Sequence, residues 1–176
     1  VSGTRSGGLY FPHVAGVGLS RNLYAWSQYI DASAGVLRLV FGLGTRAVDR
    51  SDDDYTRIVA LNAPERRPET NFDEVRQYSQ RRVDVIDLEA NQLVSENFTT
   101  VAKRCDDLPL DIFASEQTGT AVTDPATVSG LVLTFEKLLT EMAFVGDMRE
   151  MLRILQNAYA YPVDIEFTAN FKDAAE

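Results

Sequence analysis

Apolar residues in the first third of the chain come in short runs, which are separated by glycine, proline and acidic residues. The runs are Leu9–Phe11, Val14–Leu19, Gly35–Phe41 and Tyr55–Leu61. The third run is almost continuously apolar and stops at Gly42-Leu43-Gly44, as a buried strand does where it enters a turn. The pattern therefore predicts a sheet built largely from this part of the chain.

The middle of the chain has a weaker pattern. Its predicted elements are a surface connector at Pro64–Thr70, a short helix at Asn71–Gln80, a hairpin of Val83–Leu88 with Leu93–Val94, and a short strand at Ile112–Ala114. No motif gives this region a role of its own. Residues 71–125 are therefore interpreted as a candidate inserted region.

A first helix is predicted after this region, because apolar residues recur there at helical spacing. They are Leu131, Phe135, Leu138, Leu139 and Met142. Thr127, or Asp124 followed by Pro125, supplies the start signal. The stripe predicts that the helix packs on the sheet with one face.

A second helix is predicted after Gly146, with Asp147 as its N-cap and Glu150 completing a capping box. Pro162 sets its end. Its apolar positions again recur at helical spacing and predict a buried face: Met148, Met151, Leu152, Leu155 and Tyr159. Core packing explains the methionines without any cofactor.

The last predicted element is a strand, because Val163–Thr168 alternates strictly between apolar and polar residues. Together the elements predict an α+β fold in a single domain, residues 1–176. Its sheet is mostly antiparallel, and the two C-terminal helices pack on it.

Charge and composition narrow the classes of partner. The chain has 26 acidic and 17 basic side chains and a net charge of −9, which disfavours a general nucleic-acid or membrane-surface binder. It contains no stretch of about 20 apolar residues. The chain also begins without Met, and we expect it to be a trimmed piece of a longer protein.

The single cysteine and the single histidine offer little catalytic chemistry. Cys105 excludes an internal disulfide, favours a cytoplasmic location, and is interpreted as a structural thiol, although Lys103 and Arg104 beside it could favour a thiolate. His13 lies between aromatic and apolar residues and is predicted to be a buried or half-buried imidazole. A Cys/His or Ser-His-Asp site is therefore not expected.

The final strand is the most informative place for chemistry. Strand geometry puts Asp164 and Glu166 on one face, about 7 Å apart. Carboxylate oxygens on a rigid strand suit Mg²⁺, whose remaining positions are filled by waters and substrate phosphates. By pattern alone, the alternation favours the polar face of a solvated edge strand over a metal site.

Two further segments could contact an anion. Gly42 and Gly44 follow a predicted strand and would let backbone N–H groups approach a phosphate, with Arg46 supplying positive charge. The segment has neither the P-loop nor the Rossmann pattern, so an ordinary turn is the alternative. Arg21 is either an exposed cation or a phosphate contact.

Taken together and in this order, three segments resemble the ATP-grasp nucleotide-binding domain of the pyruvate, phosphate dikinase and phosphoenolpyruvate synthase family. Gly16–Asn22 resembles the turn G-V-x-F-[ST]-R-[ND], and Gly42-Leu43-Gly44 with Val48 resembles the loop G-L-G-E-x-V-V-x-G. Tyr161–Phe167 resembles the strand Y-G-x-P-x-D-I-E-[WF], and Leu152–Tyr159 the helix before it. Residues 91–125 match no motif of the family.

The resemblance implies an ATP-grasp-like lobe and a set of site residues. In the family, the carboxylates of D-I-E hold the Mg²⁺ that bridges the nucleotide phosphates, which implies Asp164 and Glu166 as metal ligands here. The implied contacts to ATP are Gly42, Gly44, Thr45, Arg46 and Arg21.

The chain also departs from the family pattern. Thr45 stands where the family has a glutamate, and Asp49-Arg50-Ser51 stands where V-x-G would continue. These differences imply a divergent branch. The family's upstream lobe with its phosphate-binding Lys and Arg, and its downstream Q-x-R-P strand, would lie outside these residues.

The resemblance therefore implies the C-terminal lobe of the ATP- and Mg²⁺-binding domain of a dikinase-type phosphotransferase. Its partners would be the nucleotide, an upstream ATP-grasp lobe and downstream domains of the same chain. The lobe alone is expected to be inactive, since phosphoryl transfer needs charge neutralisation from both sides. A non-catalytic domain that keeps the fold, or an ATP-grasp ligase forming an acyl phosphate, are the alternatives.

Overall fold

The computed structural model describes residues 2–23, 25–49, 54–116 and 130–171. Its strands are β1 (Thr4–Ser6), β2 (Leu9–Phe11), β3 (Val14–Leu19), β4 (Val36–Val40), β5 (Arg57–Ala60), β6 (Arg82–Asp87), β7 (Gln92–Asn97), β8 (Ala114–Ser115), β9 (Val132–Leu133) and β10 (Asp164–Ala169). Its α-helices are α1 (Thr45–Val48), α2 (Phe72–Gln77), α3 (Phe98–Arg104), α4 (Leu110–Phe113), α5 (Glu136–Thr140) and α6 (Phe144–Tyr159).

The sheet that carries the predicted carboxylates has the strand order β10-β3-β4-β5, and all its neighbouring strands are antiparallel. Glu166 of β10 lies opposite Val17 of β3, and Val17 lies opposite Arg38 of β4. Ile58 of β5 continues this row. The register fixes which side chains share a face of the sheet.

A second antiparallel sheet has the order β1-β2-β6-β7. It pairs the N-terminal hairpin with the predicted hairpin of the middle region. Val83 and Val85 of β6 are buried in the same apolar cluster as Leu37 and Leu39 of β4. The region 71–125 therefore contributes to the core of the first sheet. Whether it is an insertion stays a prediction.

Phenylalanine rings fill the centre of this shared core. The ring of Phe41 lies 5.7 Å from Phe11, 5.5 Å from Phe98 and 5.4 Å from Phe113. The C-terminal helices add further apolar side chains, which are Leu138, Leu139, Phe144, Val145, Met148 and Leu152. The predicted α+β class, with antiparallel sheets and two C-terminal helices packed on the core, is confirmed.

The predicted strand at Ile112–Ala114 is wrong. Leu110–Phe113 forms the helical turn α4, and the chain becomes extended at Ala114 and Ser115. The N–H of Ile112 donates to the carbonyl of Pro109, which closes the turn. Three apolar residues in a row do not distinguish a strand from a buried helical turn, because both bury the whole run.

The first C-terminal helix is much shorter than its apolar stripe suggests. Val132 and Leu133 pair with β8, and the helix α5 begins only at Glu136. Phe135 has a φ of 56°, which separates the strand from the helix. Leu131 and Phe135 are buried as predicted, but Leu131 precedes β9 and Phe135 is the N-cap of α5. The predicted start signals, Asp124, Pro125 and Thr127, lie outside the described residues.

The second C-terminal helix begins earlier than predicted. α6 starts at Phe144, so that Gly146 and Asp147 lie inside its first turn and the predicted capping box is absent. Phe144 and Val145 are buried, and this packing extends the helix toward its N-terminus. Glu150 instead forms an ion pair with Arg153 at 2.6 Å.

The burial predicted for α6 is confirmed on one side only. Met148 and Leu152 are buried, whereas Met151 is 37% and Tyr159 is 72% exposed. Within the described residues, none of the helices is long and apolar enough to cross a membrane.

Candidate functional site

The carboxylates predicted as metal ligands lie on the outer face of β10. Asp164 and Glu166 are exposed, while Ile165 and Phe167 point to the opposite face and pack against the core. β10 is an edge strand of the described sheet. The alternation read from the sequence therefore exists in the fold and puts both carboxylates on one accessible face.

The row that contains Glu166 has no fully buried member. Glu166 is exposed, and Val17, Arg38 and Ile58 are half-buried. The two neighbouring rows each contain buried residues of β3, β4 or β5. Their buried members are Val36 and Ala60 on one side, and Ala15 and Val40 on the other. We call Glu166, Val17, Arg38 and Ile58 the open row.

The helix α1 covers one end of this face. Ala47 of α1 packs with Ala15 and Val40 in a small apolar cluster, against which Val17 is partly buried. The open row lies next to the row that α1 covers, and it is flanked on both sides by rows of the same sheet face that have buried members. The carboxylate of Glu166 therefore lies at one edge of the open row.

The carboxylate oxygens of Asp164 and Glu166 are suitable ligands for Mg²⁺. The carboxylates of Asp164 and Glu166 form no hydrogen bond or ion pair with any described residue, so their oxygens are available as ligands. Among the described residues, no group of three or more His, Cys, Asp or Glu side chains could hold a metal ion. A site with two carboxylates suits Mg²⁺, which keeps several waters and uses substrate phosphates, better than a metal that needs an all-protein cage.

The glycine turn connects β4 to α1, at the end of the face that α1 covers, and is fixed against the second sheet. Gly42 has a φ of 92°, and a Cβ there would lie 2.5 Å from the side chain of Val83. The N–H of Leu43 donates to the carbonyl of Asp84 at 2.8 Å. Glycine is required at position 42, because this φ and this close approach both exclude a side chain.

Thr45 and Arg46 bind a carboxylate that the sequence did not single out. The hydroxyl of Thr45 donates to Asp84 at 2.6 Å, and Nε of Arg46 donates to it at 3.0 Å. Arg46 also donates to the hydroxyl of Ser95 at 2.9 Å. Burial opposes ionisation of Asp84, but hydrogen bonds from Thr45, Ser95 and Arg46 outweigh it and lower its pKa.

The fold brings only part of the predicted site together. Asp164 and Glu166 share a face, and Arg21, which is exposed, follows β3 at the Asp164 end of the sheet. Gly44 and α1, which carries Thr45 and Arg46, lie over the neighbouring row of the same face, where a Cβ at Gly44 would be 3.4 Å from that of Ala15. The side chains of Thr45 and Arg46, however, are bound to Asp84. Their roles stay predictions.

Sequence reasoning missed two residues that the structure places at this site. Arg38 is in the open row, and Asp84 holds the glycine turn. A signal for Arg38 was present, because it is the one charged residue in the apolar run Gly35–Phe41. Asp84 lies on a distant strand with ordinary alternation, so nothing local marked it.

The remaining candidates behave as the sequence predicted. Cys105 is buried, and burial raises the pKa of its thiol, which agrees with a structural role and not with the thiolate alternative. His13 is 6% exposed and its ring lies 5.6 Å from that of Phe113.

Comparison with known protein families gives a match over most of the chain. The family model described as the pyruvate phosphate dikinase AMP/ATP-binding domain matches residues 7–175. No curated protein and no solved structure matches the chain. The family match includes residues 91–125, for which the motifs offered no counterpart.

Proposed function

The chain belongs to the pyruvate phosphate dikinase AMP/ATP-binding domain family, and on this premise we propose that it binds Mg·ATP across the face of the sheet that carries Glu166. The proposed role is that of a lobe in a dikinase-type phosphotransferase, which transfers a phosphoryl group from ATP to an acceptor. The single observation that carries the proposal is the pair of exposed, unbonded carboxylates of Asp164 and Glu166 beside the open row.

The residues of the lobe have distinct proposed tasks. Asp164 and Glu166 would hold Mg²⁺, which when bound neutralises phosphate charge as a Lewis acid. Val17 and Ile58 provide a half-buried apolar surface beside the charged groups. The glycine turn and Arg21 would contact the nucleotide at the two ends of the face.

Glu166→Gln tests the metal-binding role. The change keeps the size of the side chain but removes the negative charge, so the Mg²⁺-dependent part of ATP binding should weaken by at least about tenfold. Isothermal titration of the purified protein with ATP, with and without Mg²⁺, measures this. The thermal melting temperature should stay unchanged, because Glu166 is exposed and unpaired.

Glu96→Gln is the matched control, since Glu96 is a half-buried strand glutamate in the second sheet. It should bind Mg·ATP like the wild type. In the full-length protein, Glu166→Gln should also abolish ATP-dependent turnover. Unchanged turnover and unchanged Mg·ATP affinity in Glu166→Gln would contradict the proposal.

A non-catalytic domain with the same fold is the second candidate, and Thr45 favours it. The hydroxyl of Thr45 is bound to Asp84, and the position offers no carboxylate to the nucleotide. Micromolar binding of Mg·ATP would support the enzyme, and absence of binding at millimolar nucleotide would support the second candidate.

We further propose that an upstream ATP-grasp lobe and downstream domains of the same protein complete the site, in the cytoplasm. The support is that the open row is accessible from one side, so its charged side chains can contact the phosphates from that side only. Phosphoryl transfer requires positioning and neutralisation around the whole phosphate chain.

A further inference from the structure

Arg38 is the charged residue at the centre of an otherwise apolar strand. β4 reads Val36-Leu37-Arg38-Leu39-Val40, and the four apolar side chains are buried. Arg38 is half-buried and belongs to the open row with Glu166. Strands favour β-branched and aromatic residues at such positions, so strand propensity does not account for an arginine here.

The guanidinium of Arg38 lacks the partners that other arginines of the fold have. Arg57 donates to three backbone carbonyl oxygens at distances between 2.8 and 3.3 Å, and Arg46 binds Asp84 and Ser95. The side chain of Arg38 forms no hydrogen bond and no ion pair with any residue in the described part of the chain. Contacts within the fold therefore account for the positions of Arg57 and Arg46, whereas no contact with a described residue accounts for that of Arg38.

A half-buried cation that has no partner among the residues described by the structure has lost part of its hydration, and no described side chain compensates it. An anionic ligand on the open row would compensate for the lost hydration of Arg38. The planar guanidinium can donate two hydrogen bonds to two oxygens of one phosphate. We propose that Arg38 is a phosphate-binding residue, which contacts the polyphosphate of the nucleotide on the side of Val17 opposite to Glu166. This inference rests on the proposed function.

The spacing across the open row favours a polyphosphate over a compact anion. Val17 separates Arg38 from Glu166, so their Cα atoms are two strand spacings apart, about 10 Å. A chain of phosphates carries anionic groups along its length. One phosphate can meet Arg38 while another meets a magnesium ion held by Glu166, which a single small anion cannot do as well.

The test compares Arg38→Gln and Arg38→Lys with the wild type by isothermal titration with Mg·ATP, Mg-tripolyphosphate and adenosine. Arg38→Gln should weaken the binding of ATP and of tripolyphosphate about tenfold or more, because a charge-assisted pair of hydrogen bonds is lost. Arg38→Lys should recover part of the affinity. Adenosine binding should not change, since adenosine carries no phosphate.

Arg5→Gln is the control, because Arg5 is a strand arginine of the second sheet that forms no hydrogen bond or ion pair with any described residue. It should bind all three ligands like the wild type. The melting temperature separates a binding role from a structural one. Arg38→Gln should melt at the wild-type temperature or higher, whereas loss of a structural arginine would lower it.

The outcomes separate this inference from the proposed function. If Glu166→Gln weakens Mg·ATP binding and Arg38→Gln does not, the inference is wrong and the proposed function stands. If the wild type binds neither Mg·ATP nor tripolyphosphate, the proposed function fails and this inference with it. Equal weakening of adenosine and ATP by Arg38→Gln, or a lower melting temperature, would also overturn the inference.

Discussion

At the scale of single residues, His13 shows how one side chain can secure the strand that carries the carboxylates. Its Nδ1 accepts a hydrogen bond from the N–H of Phe171 at 3.0 Å, and its own backbone N–H donates to Asn170 at 3.3 Å. These residues directly follow β10. The imidazole must be unprotonated at Nδ1 to accept this bond, so the contact depends on pH.

The free energy of unfolding should therefore fall as the pH falls through the range below about 6.5. Burial lowers the pKa of His13 from 6.5, although the charge of Asp107 opposes this effect. A histidine with a lowered folded-state pKa gives its full stability above 6.5 and loses it as the pH falls toward the folded-state value. Denaturant titrations between pH 8 and pH 5.5 measure this.

His13→Gln is the control for this prediction, because the chain has one histidine and the variant removes it. The variant should be less stable than the wild type at pH 8, with a smaller dependence on pH above pH 5.5. A wild-type protein whose stability is the same at pH 8 and pH 5.5 would disprove the prediction.

At the scale of elements, the position of α1 depends on a strand of the other sheet. The carboxylate of Asp84 in β6 accepts hydrogen bonds from Thr45 and Arg46 of α1. Its backbone carbonyl accepts a hydrogen bond from the N–H of Leu43. The helix has only four residues and no side-chain N-cap, so its own hydrogen bonds cannot hold it in place. The glycine turn is therefore oriented by β6.

Asp84→Ala should lower the free energy of unfolding by about 3 kcal/mol, because it leaves the largely buried guanidinium of Arg46 without its nearest carboxylate. Asp84→Asn should cost less, since the amide oxygen still accepts a hydrogen bond. Urea denaturation measures both. In the double variant Asp84→Ala with Arg46→Ala, the loss should be smaller than the sum of the single losses; additive losses would show that the pair is not coupled.

At the scale of the whole molecule, one aromatic cluster joins the two sheets and the C-terminal helices. The ring of Phe113 lies 5.4 Å from Phe41, 6.4 Å from Phe135 and 5.7 Å from Phe171. Phe171 in turn lies 6.2 Å from Phe144 of α6. The sheet that carries the open row thus packs with its opposite face against aromatic residues from every third of the chain.

Phe113→Ala should lower the free energy of unfolding by about 3–5 kcal/mol, because it leaves a cavity where four aromatic groups meet. Tyr159→Ala is the control. Tyr159 is 72% exposed, so its loss should change the stability by less than about 0.5 kcal/mol. Thermal and urea unfolding measure both variants, and a similar loss in the two would contradict the role assigned to the cluster.

The sequence by itself determined the features that depend on local periodicity. Alternation identified β10 and the shared face of Asp164 and Glu166, and apolar runs identified β3, β4 and β5 to within a few residues. These patterns survive because a strand turns alternate side chains to opposite faces wherever it lies in the fold. The motifs carried by these strands were enough to indicate the family.

Only the tertiary structure decided which residues of different elements meet. The pairing of β10 with β3 and of β3 with β4 placed Arg38 in one row with Glu166, and the packing of β6 gave Arg46 a carboxylate partner. Helix boundaries were also decided there, because burial of Phe144 moved the start of α6 ahead of its predicted cap and pairing of Val132 leaves α5 to begin at Glu136. Register and burial arise between segments far apart in the chain, so no local pattern contains them.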